Sequence, residues 1–335
     1  MKGKQGMVCM GLLLVLSSCH TGKQITASGL QRKDFQTEVN GQHTDLFTLS
    51  NKQGMEVCIT NYGARVVSIL VPDRNGKRKD VVCGFSTITE YMEQRQNFGS
   101  TVGRYIGRIL NARFTLDGVE YKLVPNNGKS GHISHGGNPG FADRIWKVEQ
   151  ADTHRVCLSY LSPDGENGFP GNLKVTLVYS LGEDDNALDL TYEATTDAPT
   201  VLNLSHHSFF NISGNFTKSV EDQQLWVDAD RFTPYDDKKC VTGEYLQVAG
   251  TPLDFRMPHA IGECIDADHP QLKVVNGYDH TWELNTKGDD TRPAAWVYDP
   301  ASGRKMEIFT TEPGMQIYTG NGLKGKMTGL SLIHI

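Results

Sequence analysis

The chain has 335 residues, 33 lysines and arginines against 39 aspartates and glutamates, a formal net charge of −6 and a pI near 6.0. Opposite charges are interspersed and form no basic stripe, which excludes a nucleic-acid surface. With 38% hydrophobic residues, 35 glycines and no linker-like stretch, the composition fits one large turn-rich globular core.

At the start, Lys2 and Lys4 precede a short apolar run, residues 7–16, too short for a comfortable membrane span. Leu16-Ser-Ser-Cys19 closes the run and resembles the bacterial lipoprotein cleavage box. The expected layout is a signal peptide over 1–18, a lipidated Cys19 opening a polar tether over 19–32, one β domain over 33–326, and a tail over 327–335. Such a chain is exported and anchored, in the periplasm or at the cell surface, and touches the membrane through lipid alone. An ordinary signal peptide that abuts a cysteine is the plainer alternative. The cysteines beyond the leader (Cys58, Cys83, Cys157, Cys240 and Cys264) are odd in number and far apart, so neither a disulfide framework nor a zinc site is expected. Free thiols in apolar strand runs are the expectation.

Further along, apolar residues recur with period two far more often than 3.6. Strands are expected at 56–60, 64–71, 156–161, 173–181, 187–194, 281–284, 294–298, 306–310 and 315–319. Turn chemistry separates them: Asp73-Arg-Asn-Gly76, Asp117-Gly118, Asp184-Asp-Asn186 and Asp299-Pro-Ala-Ser-Gly303. Long amphipathic helical patterns are missing, so the fold class is all-β, a sandwich or a barrel.

The richest stretch is Asn203-Leu-Ser-His-His-Ser-Phe-Phe-Asn-Ile212. As one strand it sends His206 and His207 to opposite faces, and places Asn203, Ser205, His207, Phe209 and Asn211 on the same one. An imidazole framed by amides and aromatic rings suits proton transfer near neutral pH. A buried histidine bonded to a carbonyl is the bland counterpart. His132, His135, His206 and His207 do not make a metal site, because strand neighbours diverge and His-x-x-His in a glycine-rich loop is a weak pattern.

This stretch resembles the signature of the aldose 1-epimerase (mutarotase) family, Asn-x-Thr-Asn-His-x-Tyr-Phe-Asn-Leu. Phe98-Gly-Ser-Thr-Val-Gly-Arg-Tyr-Ile-Gly-Arg-Ile109 is similar to the family's arginine segment, and His135-Gly-Gly137 to its His-Gly-Gly turn. Asn276-Gly-Tyr-Asp-His280 and Pro313-Gly-Met-Gln-Ile-Tyr-Thr-Gly-Asn321 resemble two further family segments, and all occur in family order. The resemblance implies a large antiparallel β-sandwich, the galactose mutarotase-like supersandwich. It implies an enzyme that interconverts the α and β anomers of an aldohexose by acid/base ring opening, with no metal or organic cofactor, as a monomer or weak dimer. By resemblance His207 is the general acid to the ring oxygen, His135 is the second catalytic histidine and contacts the sugar near the same oxygen, and Arg108, Asp279 and Gln316 bind sugar hydroxyls. Singly, each has a plainer reading: a surface ion pair for Arg108, turns for His135 and Asp279, an outward strand face for Gln316.

The chain departs from the pattern at Gly107, where the family commonly has Asn, at Ser205-His206 in place of Thr-Asn, and at Phe209 in place of Tyr. The family's general base is a glutamate in a Leu-Glu-Thr-Gln-like segment downstream of the Gln-x-Tyr-Thr-Gly-Asn strand. Nothing after Gly325 resembles it, and Glu312, ahead of Pro313-Gly314, reads as a surface residue. The expectation is therefore a C-terminally truncated, impaired epimerase, with a non-catalytic carbohydrate-binding lipoprotein as the alternative.

Overall fold

In the computed structural model, residues 24–323 are described, together with the backbone pairing of Thr328–Gly329 and Leu332–Ile333. The expected leader, Cys19 and most of the expected tail lie outside them. Within the stretch expected to be a tether, Ile25 bridges Gln31, and Thr26 and Leu30 are buried, so from Gln24 onward the chain is already packed.

Among the described residues the protein is mostly β, and every strand ladder is antiparallel, in four four-stranded sheets and several two-stranded pairs. The first sheet joins Leu46–Ser50, Glu56–Thr60, Arg65–Pro72 and Arg78–Asp80. The second joins Lys147–Ala151, Arg155–Ser162, Leu173–Leu181 and Leu188–Thr196. Leu173–Leu181 alternates strictly: Leu173, Val175, Leu177, Tyr179 and Leu181 point inward, as period-two apolarity requires. They meet Leu49, Val57, Ile59, Val66 and Ile69 of the first sheet in one shared apolar layer.

The first sheet is also covered on its other face. Cys58 and Val67 pack there against Phe85, Tyr91 and Phe98 around the short helix Ile88–Gln94. Burial on both faces explains why 56–60 and 65–70 are buried without a gap rather than alternating. That helix starts in a capping box: Thr87 Oγ1 accepts from Glu90 N (3.2 Å), and Glu90 Oε2 accepts from Thr87 N (2.9 Å).

The C-terminal half holds two more sheets around a second core. One joins His259–Ala260, Gln224–Val227, Ala295–Tyr298 and Lys305–Ile308; the other joins Leu246–Gln247, Arg231–Thr233, Asp279–Glu283 and Gly314–Tyr318. Leu225, Val227 and Ala295 from the first meet Phe232 and Trp282 from the second. The expected turn at Asp73 forms as read: its carboxylate accepts from Asn75 N and Lys77 N. Cys58, Cys83, Cys157, Cys240 and Cys264 are free thiols.

Candidate functional site

The run 203–212 is not one strand. Only Ser205–His207 pairs, with Ser100–Val102, setting His207 opposite Ser100 and His206 opposite Thr101. Beyond His207 the partner changes, because Phe210 bridges Val82 and Phe209 O accepts from Cys83 N. The shared face expected for Asn203 through Asn211 therefore does not exist. Asn203 is exposed beside Tyr105, and Asn211 is buried, its Nδ2 donating to Asn215 O and Lys218 O.

His206 and His207 do diverge. His206 packs toward Tyr179 of the core, shares a 2.6 Å hydrogen bond with Ser208 Oγ, and has a buried Nδ1 without a partner. Burial, then the charges of His207 and Arg65, push its pKa down to about 3, so it stays neutral. His207 stacks on Phe209 (centroids 5.1 Å apart, planes 26°) and meets the ring of His135 edge-on at 5.5 Å. Phe209 in turn lies edge-on to Phe98 and Tyr318, at 5.0 and 5.7 Å, and serves as the apolar floor under the acid candidate. Burial is the main cause that lowers the His207 pKa, with Arg65 adding to it and a backbone hydrogen bond opposing.

His135 has φ +53, its N donates to Gly107 O (2.9 Å), and its Nδ1 accepts from Gly107 N (3.3 Å), leaving the proton on Nε2. The glycine after it is obligatory: a Cβ on Gly136 would stand 1.8 Å from Gly103 O. Burial first, then His207 and Arg108, push His135 down to about 3. The ladder between Arg108–Ile109 and Ile133–Ser134 sets Arg108 opposite Ser134, next to His135. Arg108 Nη1 donates to Lys239 O (3.1 Å).

Across from the histidines, Asp279 opens the strand Asp279–Glu283, in register with Tyr318. Its Oδ1 accepts from Gln316 Nε2 (2.7 Å). Burial raises its pKa, while the Gln316 hydrogen bond and the charges of Arg108 and Lys239 oppose. The Arg108 charge acts on His135 on one side and on Asp279, Tyr235 and Tyr318 on the other. Together with the Phe209–Tyr318 contact, this brings His207, His135, Arg108, Asp279 and Gln316 into one locus, although 208 positions separate Arg108 from Gln316. Glu312 is exposed at a strand end.

Two features were missed by sequence reasoning. The first is Tyr235, whose Oη accepts from Gln316 Nε2 at 3.3 Å; Thr233-Pro-Tyr-Asp-Asp reads as a turn and gives no signal. The second is a pair of buried arginines. Arg65 donates to the carbonyls of Gln96, Phe98 and Ala142 at 2.8, 2.8 and 3.0 Å. Arg104 donates to those of Ser162, Pro163, Pro170 and Gly171. Arg65 grips the backbone just before the strand that pairs with His207, and Arg104, just after it, anchors the chain to residues 162–171. Their positions in apolar or glycine-rich runs are the available signal.

Comparison with known proteins bears on this arrangement. A profile described as aldose 1-epimerase matches residues 45–332. The chain is 40% identical over 286 residues to a galactose mutarotase of Bos taurus, covering 85% of this chain and 80% of that one. It is 36% identical over 286 residues to an aldose 1-epimerase of Escherichia coli K12, covering 85% and 81%. Among solved structures, a galactose 1-epimerase from Lactobacillus acidophilus superposes with a TM-score of 0.77 at 30% identity, covering 89% of this chain and 84% of that one.

Proposed function

Because the chain belongs to the aldose 1-epimerase family, we infer that it interconverts the α and β anomers of an aldohexose such as galactose or glucose, and does so at the locus around His207. The observation that carries the siting is the edge-on pair of half-buried imidazoles, His207 and His135, facing a hydrogen-bonded carboxylate, Asp279. Mutarotation moves two protons. The C1 hydroxyl loses one, C1=O forms, the C1–O5 bond breaks, and O5 gains one; rotation about C1–C2 and closure on the other face complete it. By the sequence resemblance His207 is the acid to O5; burial lowers its pKa, which makes its imidazolium a stronger donor and a scarcer one. Arg108 carries several N–H donors to hydroxyls and to the oxygen that develops negative charge. Asp279 accepts from sugar hydroxyls. The sequence resemblance gives the C1 proton to a glutamate of a Leu-Glu-Thr-Gln-like segment, which residues 24–323 do not contain, so with these residues water takes that proton and returns it on closure.

The shared apolar layers support a closed stacking of the sheets as a galactose-mutarotase-type sandwich. Lipid attachment at Cys19 belongs to the same reading, supported by Leu16-Ser-Ser-Cys19. A fatty-acid probe that labels the wild type and Cys19→Ala alike overturns it. Polarimetry of freshly dissolved α-D-galactose and α-D-glucose tests the activity. Equilibration faster than in buffer is expected. A folded protein that binds galactose but matches buffer in rate returns the non-catalytic binding reading.

A further inference from the structure

A glutamine amide has two N–H donors and one carbonyl acceptor. At Gln316 both donors are spent inside the protein: Nε2 donates to Asp279 Oδ1 at 2.7 Å and to Tyr235 Oη at 3.3 Å. Its Oε1 accepts from the Thr281 hydroxyl. The residue expected to touch sugar thus works as a bracket that fixes Asp279 and Tyr235 one amide nitrogen apart. Tyr235 Oη uses a lone pair in that bracket, and among the described residues its O–H has no acceptor. Its position is rigid. Tyr235 N donates to Gln271 Oε1 (2.8 Å), Gln271 Nε2 donates to Tyr235 O (3.0 Å), Tyr235 bridges Val241, and its ring leans on His280 at 5.5 Å. The phenol is half-buried and stands beside a carboxylate whose second oxygen has no hydrogen-bond donor among the described residues. Burial, then the Asp279 charge, raises its pKa and keeps it a donor at neutral pH.

Resting on the reading of this site as a sugar site, we propose that Tyr235 is a specificity-determining residue that donates its hydroxyl proton to a sugar hydroxyl adjacent to the one Asp279 accepts from, while Gln316 is a positioning residue for both. A fixed donor beside a fixed acceptor selects two neighbouring hydroxyls in one relative orientation, and so discriminates between epimers at that carbon. The hydrogen bond exists in the ground state as well as the transition state, so its loss falls mainly on KM.

The test is Tyr235→Phe, read as KM and kcat by polarimetry and as galactose affinity by titration calorimetry, on galactose and its 2-, 3-, 4- and 6-deoxy analogues. Removing the hydroxyl is expected to weaken galactose binding and raise KM by about 10-fold. For one deoxysugar, the one that lacks the partner hydroxyl, wild type and variant should converge. Unchanged affinity for galactose overturns the proposal. A penalty of equal size on every deoxysugar also overturns it, because Tyr235 then acts only through Gln316 and Asp279. A wild type that binds no aldose at all sinks the sugar-site reading instead, and calorimetry separates that outcome from a failure of Tyr235 alone.

Discussion

On the histidine side of the site, the buried guanidinium of Arg65 holds the backbone just before the strand that pairs with His207, and that of Arg104 ties the chain just after it to residues 162–171. On the carboxylate side, Asp279 is held by Gln316, itself fixed by Thr281 and Tyr235, in a chain of half-buried or exposed side chains. The first side spends wholly buried charge on main-chain carbonyls, so its geometry is inseparable from the fold. The second is a half-exposed network on strand ends, in which the Tyr235 hydroxyl proton is left for a ligand. Substitutions on the histidine side should therefore cost turnover and stability together, and those on the carboxylate side should change affinity and selectivity with the fold intact.

The largest effect expected is on His207→Ala. Loss of a positioned acid should lower kcat by about 10²- to 10⁴-fold, with KM much less changed. Equal turnover by polarimetry would move the chemistry away from the histidine side. Next comes Arg65→Met, which leaves the carbonyls of Gln96, Phe98 and Ala142 without their donor and should destabilise by about 3 kcal/mol or more in urea unfolding. Gln316→Ala on the exposed side should stay within about 0.5 kcal/mol in the same assay. Similar losses for the two variants would erase the contrast.

The comparison can also be sharpened through pH dependence. His135 and His206 are pushed to about 3, and His280 to about 4, mainly by burial, against an ordinary value of 6.5. The unfolded chain binds protons there that the native state refuses. Their stability is thus whole above pH 6.5 and is lost as pH falls toward 3–4. Asp80 runs the other way. Burial raises it to about 6 from 3.8, against hydrogen bonds from Ile69 N and Val82 N that oppose the shift. Its contribution is whole below 3.8 and is lost as pH rises through 6. Wild-type urea midpoints should fall from pH 6.5 to 4, since three histidines oppose one aspartate. Asp80→Asn should gain on the wild type between pH 4 and 7, and a constant gap between the two would count against this account.

The sequence named candidate residues that the fold brings to one locus. His207, His135, Arg108, Asp279 and Gln316 were each named from short segments, because a chemically constrained site repeats its residue types at fixed local spacing. The strands were legible where one face meets the core, as at Leu173–Leu181, since period two writes burial directly into the chain. Extrapolating the same rule failed at 203–211, where the partner strand changes after His207 and the alternation of faces stops with it.

Residue type and order thus determined the family and the mostly β character, both of which depend on local pattern. Tertiary structure alone decided which donors remain free. Among the described residues both Gln316 N–H donors are used and the Tyr235 hydroxyl proton is not, because hydrogen-bond valence is shared among Tyr235, Asp279, Thr281 and Gln316, residues up to 81 positions apart. It also decided that Arg65 and Arg104 are buried brackets rather than surface cations, since a guanidinium can be buried only where the folded backbone turns enough carbonyls toward it.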